Sequence, residues 1–310
     1  MSTALPHITI LLCTANGARF LPEQLESFLA QGHNDWSLWI SDDGSQDGTR
    51  TILDAFCETH GETRAIRVVE GPRQGAAANF MSLLCHPDLP PGAVALSDQD
   101  DVWLPDKLER AAARLRQGDP DQPLIYGAQS RHVHEDLSPL GASRPPGAAV
   151  GFANALTQNV VSGHSTVLNA AGLALVRRAG VPEGIAFHDW WLYQLISGAG
   201  GTVAIDTAQV LLYRQHAVNV MGAHRGWRAR TGRAAMVMGR AYGRWIRANT
   251  TALDQVRDLL TTENRAALEL VRDALGRGPF GVGHLRRAGL YRQSASGTAL
   301  FYLAALLGRL

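Results

Sequence analysis

Cysteine is scarce in this sequence, and its placing excludes more than its number does. Cys13, Cys57 and Cys85 lie far apart and form no CxxC pair. Neither a disulfide framework nor a structural zinc site is expected, and a reducing compartment fits best. Long apolar runs are missing as well: no stretch reaches the roughly 18–20 residues that cross a bilayer as a helix. The opening MSTALPHITILLCT has no basic n-region, and its apolar run is short and strand-like, so no signal peptide is expected. There is no internal repeat and no low-complexity tract. What remains is ordinary globular composition, 45% apolar and 18% charged over 310 residues, enough for a substantial core in one large domain or two smaller ones.

The net charge of +1 hides an uneven distribution. Residues 1–224 carry 14 Lys/Arg against 23 Asp/Glu, a net −9, whereas residues 225–310 carry 15 Arg against 5 Asp/Glu, a net +10. A chain split this way presents its basic end to something anionic.

The first half alternates strand and helix signals. HITILLCT (7–14), WSLWIS (36–41), AIRVVEG (65–71) and GAVALSD (92–98) read as strands. Between them LPEQLESFLAQ (21–31), residues 49–60 and GAAANFMSLL read as helices. That alternation with short turns predicts a mostly parallel α/β sheet flanked by helices. Ligands bind such sheets beyond the carboxyl ends of the strands, and the polar clusters Thr14-Ala15-Asn16, Asp42–Ser45 and Asp98–Asp101 fall there. Residues 124–224 are mixed. PLIYGAQSRHVHE and GTVAIDTAQVLLYRQH read as strands, SRPPGAAVG as a loop, and VVSGHSTVLNAAGLALVRRAG as strand, turn and helix. After residue 225 the pattern turns to Arg-rich helices, with Leu253, Val256, Leu260 and then Leu268, Val271, Leu275 at helical spacing.

LSDQDDVWLPD (96–106) places Asp98, Asp100 and Asp101 within four positions after an apolar strand. Neighbouring carboxylates repel, and one keeps its proton unless a cation neutralises it. Solvent and helix capping are one answer; a divalent metal, Mg²⁺ or Mn²⁺, is the other. Residues two apart in extended chain project to the same side, so Asp98 and Asp100 can face one ligand. Asp101 either supports those ligands or caps the next helix, whose Pro105 suits a first turn.

CTANGARFLPEQLESFLAQ, SDDGSQDGT, SDQDDVWLPDKL, HDWWLYQL and YRQHAVN occur in that order. As an ordered set they resemble the family 2 glycosyltransferases of GT-A fold, the Rossmann-like nucleotide-diphospho-sugar transferases. The resemblance is closest to the rhamnosyltransferase-like members that build bacterial surface polysaccharides, and it covers roughly residues 7–222. It implies an inverting transferase with a catalytic domain over 1–225 and a basic helical region over 226–310. It makes Asp98-Gln99-Asp100 the Asp-X-Asp motif, with Asp100 on the metal and Asp98 on the donor ribose or the metal. Asp43 would read the base of the nucleotide, Asp42 being the alternative, with Thr14 and Asn16 beside it and Arg73 and Asn79 near the nucleotide or sugar. Where the family usually has an aromatic, this chain has Ala15. His216 would contact metal or diphosphate, and Arg214 would hold the diphosphate as a fork.

The same resemblance makes Asp189 the general base that takes the proton of the acceptor hydroxyl. Trp190 and Trp191 could stack on a sugar, or Asp189 could cap an amphipathic helix in which they simply pack. Gly163 and His164 are candidate acceptor residues. The implied partners are a dTDP- or UDP-linked sugar, with L-rhamnose the leading sugar, and a glycan or lipid-linked acceptor. The implied location is cytoplasmic, on the inner-membrane face. The Arg-rich tail would serve as an amphipathic membrane surface, or as a helical domain that packs or dimerises; no nucleic-acid motif accompanies it. Two rivals remain. A sugar-phosphate nucleotidyltransferase would carry a Gly-rich basic first loop, and TANGARFL has one Gly. A non-catalytic carbohydrate- or membrane-binding scaffold would not need Asp98, Asp100 and Asp189.

Overall fold

The computed structural model describes residues 5–215 and 239–310; His216 lies outside them. The chain divides into two compact units that interleave in sequence. The first takes Met1–Pro145, Val161–Val181 and Ala204–Val220, and the second Pro146–Val160, Pro182–Val203 and Met221–Leu310, each less the undescribed residues.

The first unit is built on a sheet. Its strands are β1 (Ile8–Thr14), β2 (Trp36–Asp42), β3 (Ile66–Glu70), β4 (Ala93–Ser97), β5 (Val102–Trp103), β6 (Leu124–Val133), β7 (Pro139–Ala142), β8 (Val167–Leu168) and β9 (Thr202–Arg214). They run in the order β3-β2-β1-β4-β8-β6-β9-β5, with β7 added on β6. The β1/β2, β2/β3 and β1/β4 pairs are parallel, and β4/β8, β6/β8, β6/β7 and β5/β9 are antiparallel. Every residue of β1 is buried, as expected of a parallel strand covered on both faces. Ile8, Ile10 and Leu12 enter one core with Leu25 and Phe28 of α1 (Leu21–Leu29), Leu53 and Phe56 of α2 (Thr49–His60) and Leu108 and Leu115 of α4 (Lys107–Gln117). The opposite face is covered by α3 (Ala76–Leu84) against β1 and β2, and by α6 (Ala170–Ala179) against β4.

The strand order positions the site. From β1 the chain builds outward through β2 to β3, then returns to place β4 on the other side of β1. The crevice beyond the carboxyl ends of β1 and β4 is therefore a topological switch point, where open α/β sheets bind ligands.

Two local expectations change. Val160 and Val161 form no strand; a 3-10 turn at Gly163–Ser165 intervenes, and the strand is β8. Asp101 does not cap the helix after it. Val102-Trp103 first pairs with β9, and α4 begins at Lys107 with Asp106 at its N-cap.

The second unit is helical: α5 (Phe152–Ala155), α7 (His188–Gly198), α8 (Arg240–Gln255), α9 (Thr262–Ala274), α10 (Val282–Arg287) and α11 (Ala295–Leu306). The spacing Leu253, Val256, Leu260 runs across a helix end, because α8 stops at Gln255 and a 3-10 turn follows at Arg257–Leu259. A fresh helix then starts where the Thr261 hydroxyl accepts from the Asn264 N–H. Among the described residues no helix is long and apolar enough to cross a membrane.

Gly243 lies inside α8, where Ala would normally stabilise the helix by roughly 0.5–1 kcal/mol. A Cβ there would stand 2.0 Å from the Arg309 carbonyl oxygen, a backbone atom that cannot swing aside. Gly243→Ala is therefore expected to lower the unfolding midpoint rather than raise it, as read by thermal or urea denaturation.

Candidate active site

Four loops close on one edge of the sheet, and hydrogen bonds lock them together. Thr14 pairs with Asp42 across β1 and β2, and Leu12 pairs with Ser97 across β1 and β4, which brings Gln99 level with Thr14. The Gln99 amide oxygen accepts from the Thr14 hydroxyl at 2.6 Å and from the Ala15 N–H at 2.8 Å, while its NH₂ donates to the Ala15 carbonyl at 3.1 Å. Gln99, the middle residue of Asp98-Gln99-Asp100, is thus the clamp between β4 and β1. Gly17 leaves room for it, since a Cβ there would sit 2.3 Å from the Gln99 amide oxygen.

Beyond β2 the Asp42 carboxylate is buried and accepts from the Ser45 hydroxyl at 2.5 Å. Asn16 bridges to the same turn: its N–H donates to Ser45 Oγ at 2.8 Å, and its Oδ1 accepts from the Gln46 N–H at 2.8 Å. Asp43 is half-buried, and its two oxygens accept from the Arg73 and Gly75 N–H groups at 2.6 and 2.7 Å. Among the described residues only Asn16, Arg73 and Leu137 are non-glycines with positive φ, and two of the three lie in these loops. Local strain of this kind gathers at functional sites. The Arg73 side chain is exposed and passes over Gly44. Asn79 is buried, with its Oδ1 and NH₂ both engaged by Ser41 at 2.5 and 3.1 Å.

After β4, Asp98 and Asp100 are half-buried and Asp101 is buried. Asp98, Asp101 and His164 each offer one ligand atom, all within 4.8 Å of one another. Asp101 Oδ1 accepts from the Arg214 N–H at 3.3 Å, and its buried Oδ2 has no hydrogen-bond partner among the described residues. Burial, and then Asp100 and Asp98, push the Asp101 carboxyl well above its ordinary range. The His164 ring is stacked on Tyr213 at 4.4 Å. Burial, with Lys107 and His132 adding to it, pushes its pKa down to about 3, so the imidazole is neutral and able to ligate. An orphaned carboxylate oxygen, a second carboxylate and a neutral imidazole form a donor set that suits Mg²⁺ or Mn²⁺.

Behind this cluster stand two buried cations. Lys107, the only lysine in the sequence, is fully buried; its ammonium donates to the His164 carbonyl at 2.7 Å and lies 3.3 Å from the Trp103 ring centroid. Burial pushes its pKa down, against the pull of Asp101 and Asp98. Arg214 is also buried. Its Nε donates to the Asp100 carbonyl at 2.9 Å, its terminal nitrogens reach the Glu135 carbonyl and the Glu23 carboxylate, and its guanidinium lies over Phe20. The fork expected to hold a diphosphate is turned inward, onto the backbone that carries Asp100.

The first unit thus brings together Thr14, Asn16, Asp43, Arg73, Asn79, Asp98, Asp100, Gly163, His164 and Arg214. Sequence reasoning passed over Gln99 as a clamp, Asp101 as a candidate ligand beside His164, and Lys107. The signal for Lys107 was compositional, a single lysine inside SDQDDVWLPDKL.

Asp189 belongs to the second unit. It stands in the first turn of α7, half-buried, and its Oδ1 accepts from the Trp190 N–H at 2.7 Å. Burial pushes the neighbouring His188 down, and Asp189 pulls it back up. Trp190 and Trp191 are 5% and 0% exposed, and Trp190 donates from Nε1 to the Ala155 carbonyl at 2.6 Å. They pack in the interior and offer no open ring face to a sugar, because α7 is buried along nearly its whole length.

Residues 9–147 match the sequence profile of Glycosyl transferase family 2. The chain is 26% identical over 254 residues to a dTDP-rhamnosyl transferase, RfbG of Shigella flexneri, covering 78% of this chain and 83% of that one. In three dimensions it is similar to the mannosyltransferase PcManGT of Pyrobaculum calidifontis, solved with GDP-Man and Mn²⁺. The TM-score is 0.55 at 20% identity, over 99% of this chain and 88% of that one. It is similar as well to residues 1–349 of S. aureus TarS, solved with UDP-GlcNAc, at a TM-score of 0.55 and 14% identity, over 92% and 93% of the two chains. The fold is GT-A, as the motifs implied.

Lys107 and Asp101 are both buried and within electrostatic reach. Removing one member of such a pair leaves an uncompensated buried charge, at a cost on the order of 3 kcal/mol. Lys107→Met should lose about that much in urea unfolding, and Lys107→Met/Asp101→Asn should recover part of it. Strictly additive losses would count against the coupling.

Proposed function

We propose that this chain is a family 2 glycosyltransferase, as its match to that family over residues 9–147 supports, and that it performs an inverting transfer. A sugar would pass from a nucleoside-diphosphate sugar to a hydroxyl of a glycan or lipid-linked acceptor in surface-polysaccharide synthesis. One observation carries the donor half of this reading: Asp98 and Asp101 stand with His164, and Asp100 lies beside them in the chain, at the switch point between β1 and β4. The nucleotide end of the donor would lie toward β2, where the Asp43 carboxylate accepts from a base N–H and Thr14, Asn16, Arg73 and Asn79 shape or line the loops.

Asp98, Asp100, Asp101 and His164 are the described residues that would hold a divalent ion. When bound, that ion would neutralise the departing diphosphate. The chain's own part is positional. Gln99 fixes the spacing of the two flanking carboxylates, Arg214 holds the Asp100 backbone, and Lys107 keeps the His164 backbone in place. Asp189 would take the proton of the acceptor hydroxyl as the new bond forms on the face opposite the leaving diphosphate. It stands half-buried in the first turn of α7, where the Trp190 N–H holds its Oδ1. The dTDP-rhamnosyl transferase relative favours a dTDP-linked sugar with rhamnose first among the sugars, the TarS structure with UDP-GlcNAc supports a UDP-linked one as the alternative, and the Mn²⁺-containing mannosyltransferase supports the metal.

Donor-hydrolysis screening across nucleotide sugars with Mg²⁺, Mn²⁺ and EDTA tests the donor half. Release of a nucleoside diphosphate that EDTA abolishes is expected; release of pyrophosphate, or indifference to EDTA, would overturn it. Asp100→Asn should raise the metal concentration needed for turnover. Asp189→Asn should lower kcat for transfer by about 10²–10⁴-fold while donor binding persists. Unchanged transfer by Asp189→Asn would remove that residue from the base role.

A further inference from the structure

The last part of the second unit is basic and apolar at once. From residue 274 to 310 the sequence carries Arg277, Arg286, Arg287, Arg292 and Arg309 and no Asp or Glu. Among the described residues, the large apolar side chains left exposed are Val181, Phe280, Leu303, Leu306 and Leu307. Four of these belong to this segment. Phe280 is 86% exposed and Leu307 56%, values that no packing role explains.

These residues are gathered in one region. Leu303, Leu306 and Leu307 stand at i, i+3 and i+4, so they share one face at the end of α11, while the other side of the helix buries Phe301, Ala304 and Ala305. The 3-10 turn Gly278–Gly281, which carries Phe280, packs beside this end: a Cβ on Gly278 would stand 3.8 Å from Gly308 Cα and 3.9 Å from the Leu306 carbonyl. On the neighbouring α10, the Arg286 guanidinium lies 5.8 Å from the Tyr302 ring centroid, one helical turn before Leu306. Arg292 is turned to the Thr157 carbonyl and the Tyr242 hydroxyl, but Arg277, Arg286, Arg287 and Arg309 are exposed, so exposed basic side chains accompany the apolar face with no Asp or Glu in the segment to offset them.

We propose that this face is a docking surface for a bilayer of acidic phospholipid, lying in the interface with Phe280 and the three leucines toward the acyl boundary and the arginines on the headgroups. Charge complementarity selects the occupant. A second copy of the chain would bring the same unopposed arginines against themselves, whereas an anionic surface offsets them, and apolar side chains beside basic ones are how interfacial helices bind. The inference is independent of the transfer reaction, so its failure leaves the proposed function untouched.

The test is co-sedimentation of the full chain with vesicles of phosphatidylcholine alone and of phosphatidylcholine mixed with phosphatidylglycerol. Binding to the mixed vesicles should exceed binding to the neutral ones by about tenfold or more and fall as salt is raised. Phe280→Ser/Leu307→Ser should abolish it. Arg286→Gln/Arg287→Gln should weaken it independently, with donor hydrolysis and melting temperature unchanged in both variants. Equal binding to both vesicle types, or retention by the serine pair, would overturn the proposal. So would a dimer in light scattering that the serine pair dissolves while the parent protein stays in the supernatant with acidic vesicles.

Discussion

The site depends on two buried basic side chains behind the carboxylates of β4's trailing loop. Asp98, Asp100 and Asp101 follow a strand with no exposed residue, and their mutual repulsion would spread the loop apart if water were their only counterweight. Lys107 sits fully buried beneath them, and Arg214 is buried beside them with its guanidinium on the Asp100 carbonyl. Two cations inside a protein are costly to bury unless paired, so carboxylates and cations stabilise each other's burial. The Asp101 oxygen without a partner among the described residues is the part of this balance that a divalent ion would complete.

Rigidity spreads from that balance through the loops. Gln99 carries it from β4 to β1, Asn16 and Ser45 from β1 to β2, and Asp43 from β2 to the turn at Arg73–Gly75. Each link is a hydrogen bond from one loop to the next with at least one side chain in it. The positive φ values of Asn16 and Arg73 are held in place by the same links.

Much of this was legible along the chain. The strand and helix alternation of residues 7–98 has its physical basis in buried apolar runs and amphipathic spacing, and the helix Thr49–His60 ends where the pattern ends. The carboxylate cluster was legible as a candidate because three like charges follow one apolar strand, whereas Asp43 was named on the family resemblance and His164 only as a candidate acceptor residue. The roles of Arg214, Asn79 and the two tryptophans were not legible. A guanidinium looks the same in sequence whether it faces a phosphate or a carbonyl, and Trp190 and Trp191 read as a sugar platform or as core with equal ease. Only burial distinguishes these cases, and burial is decided by residues distant in the chain. Leu260 likewise kept the helical spacing but not the helix, because the cap at Thr261 restarts the backbone.

The sequence alone determined the elements, the edge of the sheet on which chemistry would lie and the residue types that would perform it, since periodicity and turn chemistry are local. Tertiary structure alone decided the partners: that Gln99 is a clamp, that Asp101 joins Asp98 and His164, that the single lysine is their counterion, and that four apolar side chains near the end of the second unit remain uncovered. Those outcomes depend on which distant atoms share a dielectric and a hydrogen bond, and such neighbours are set by strand order and packing rather than by spacing along the chain.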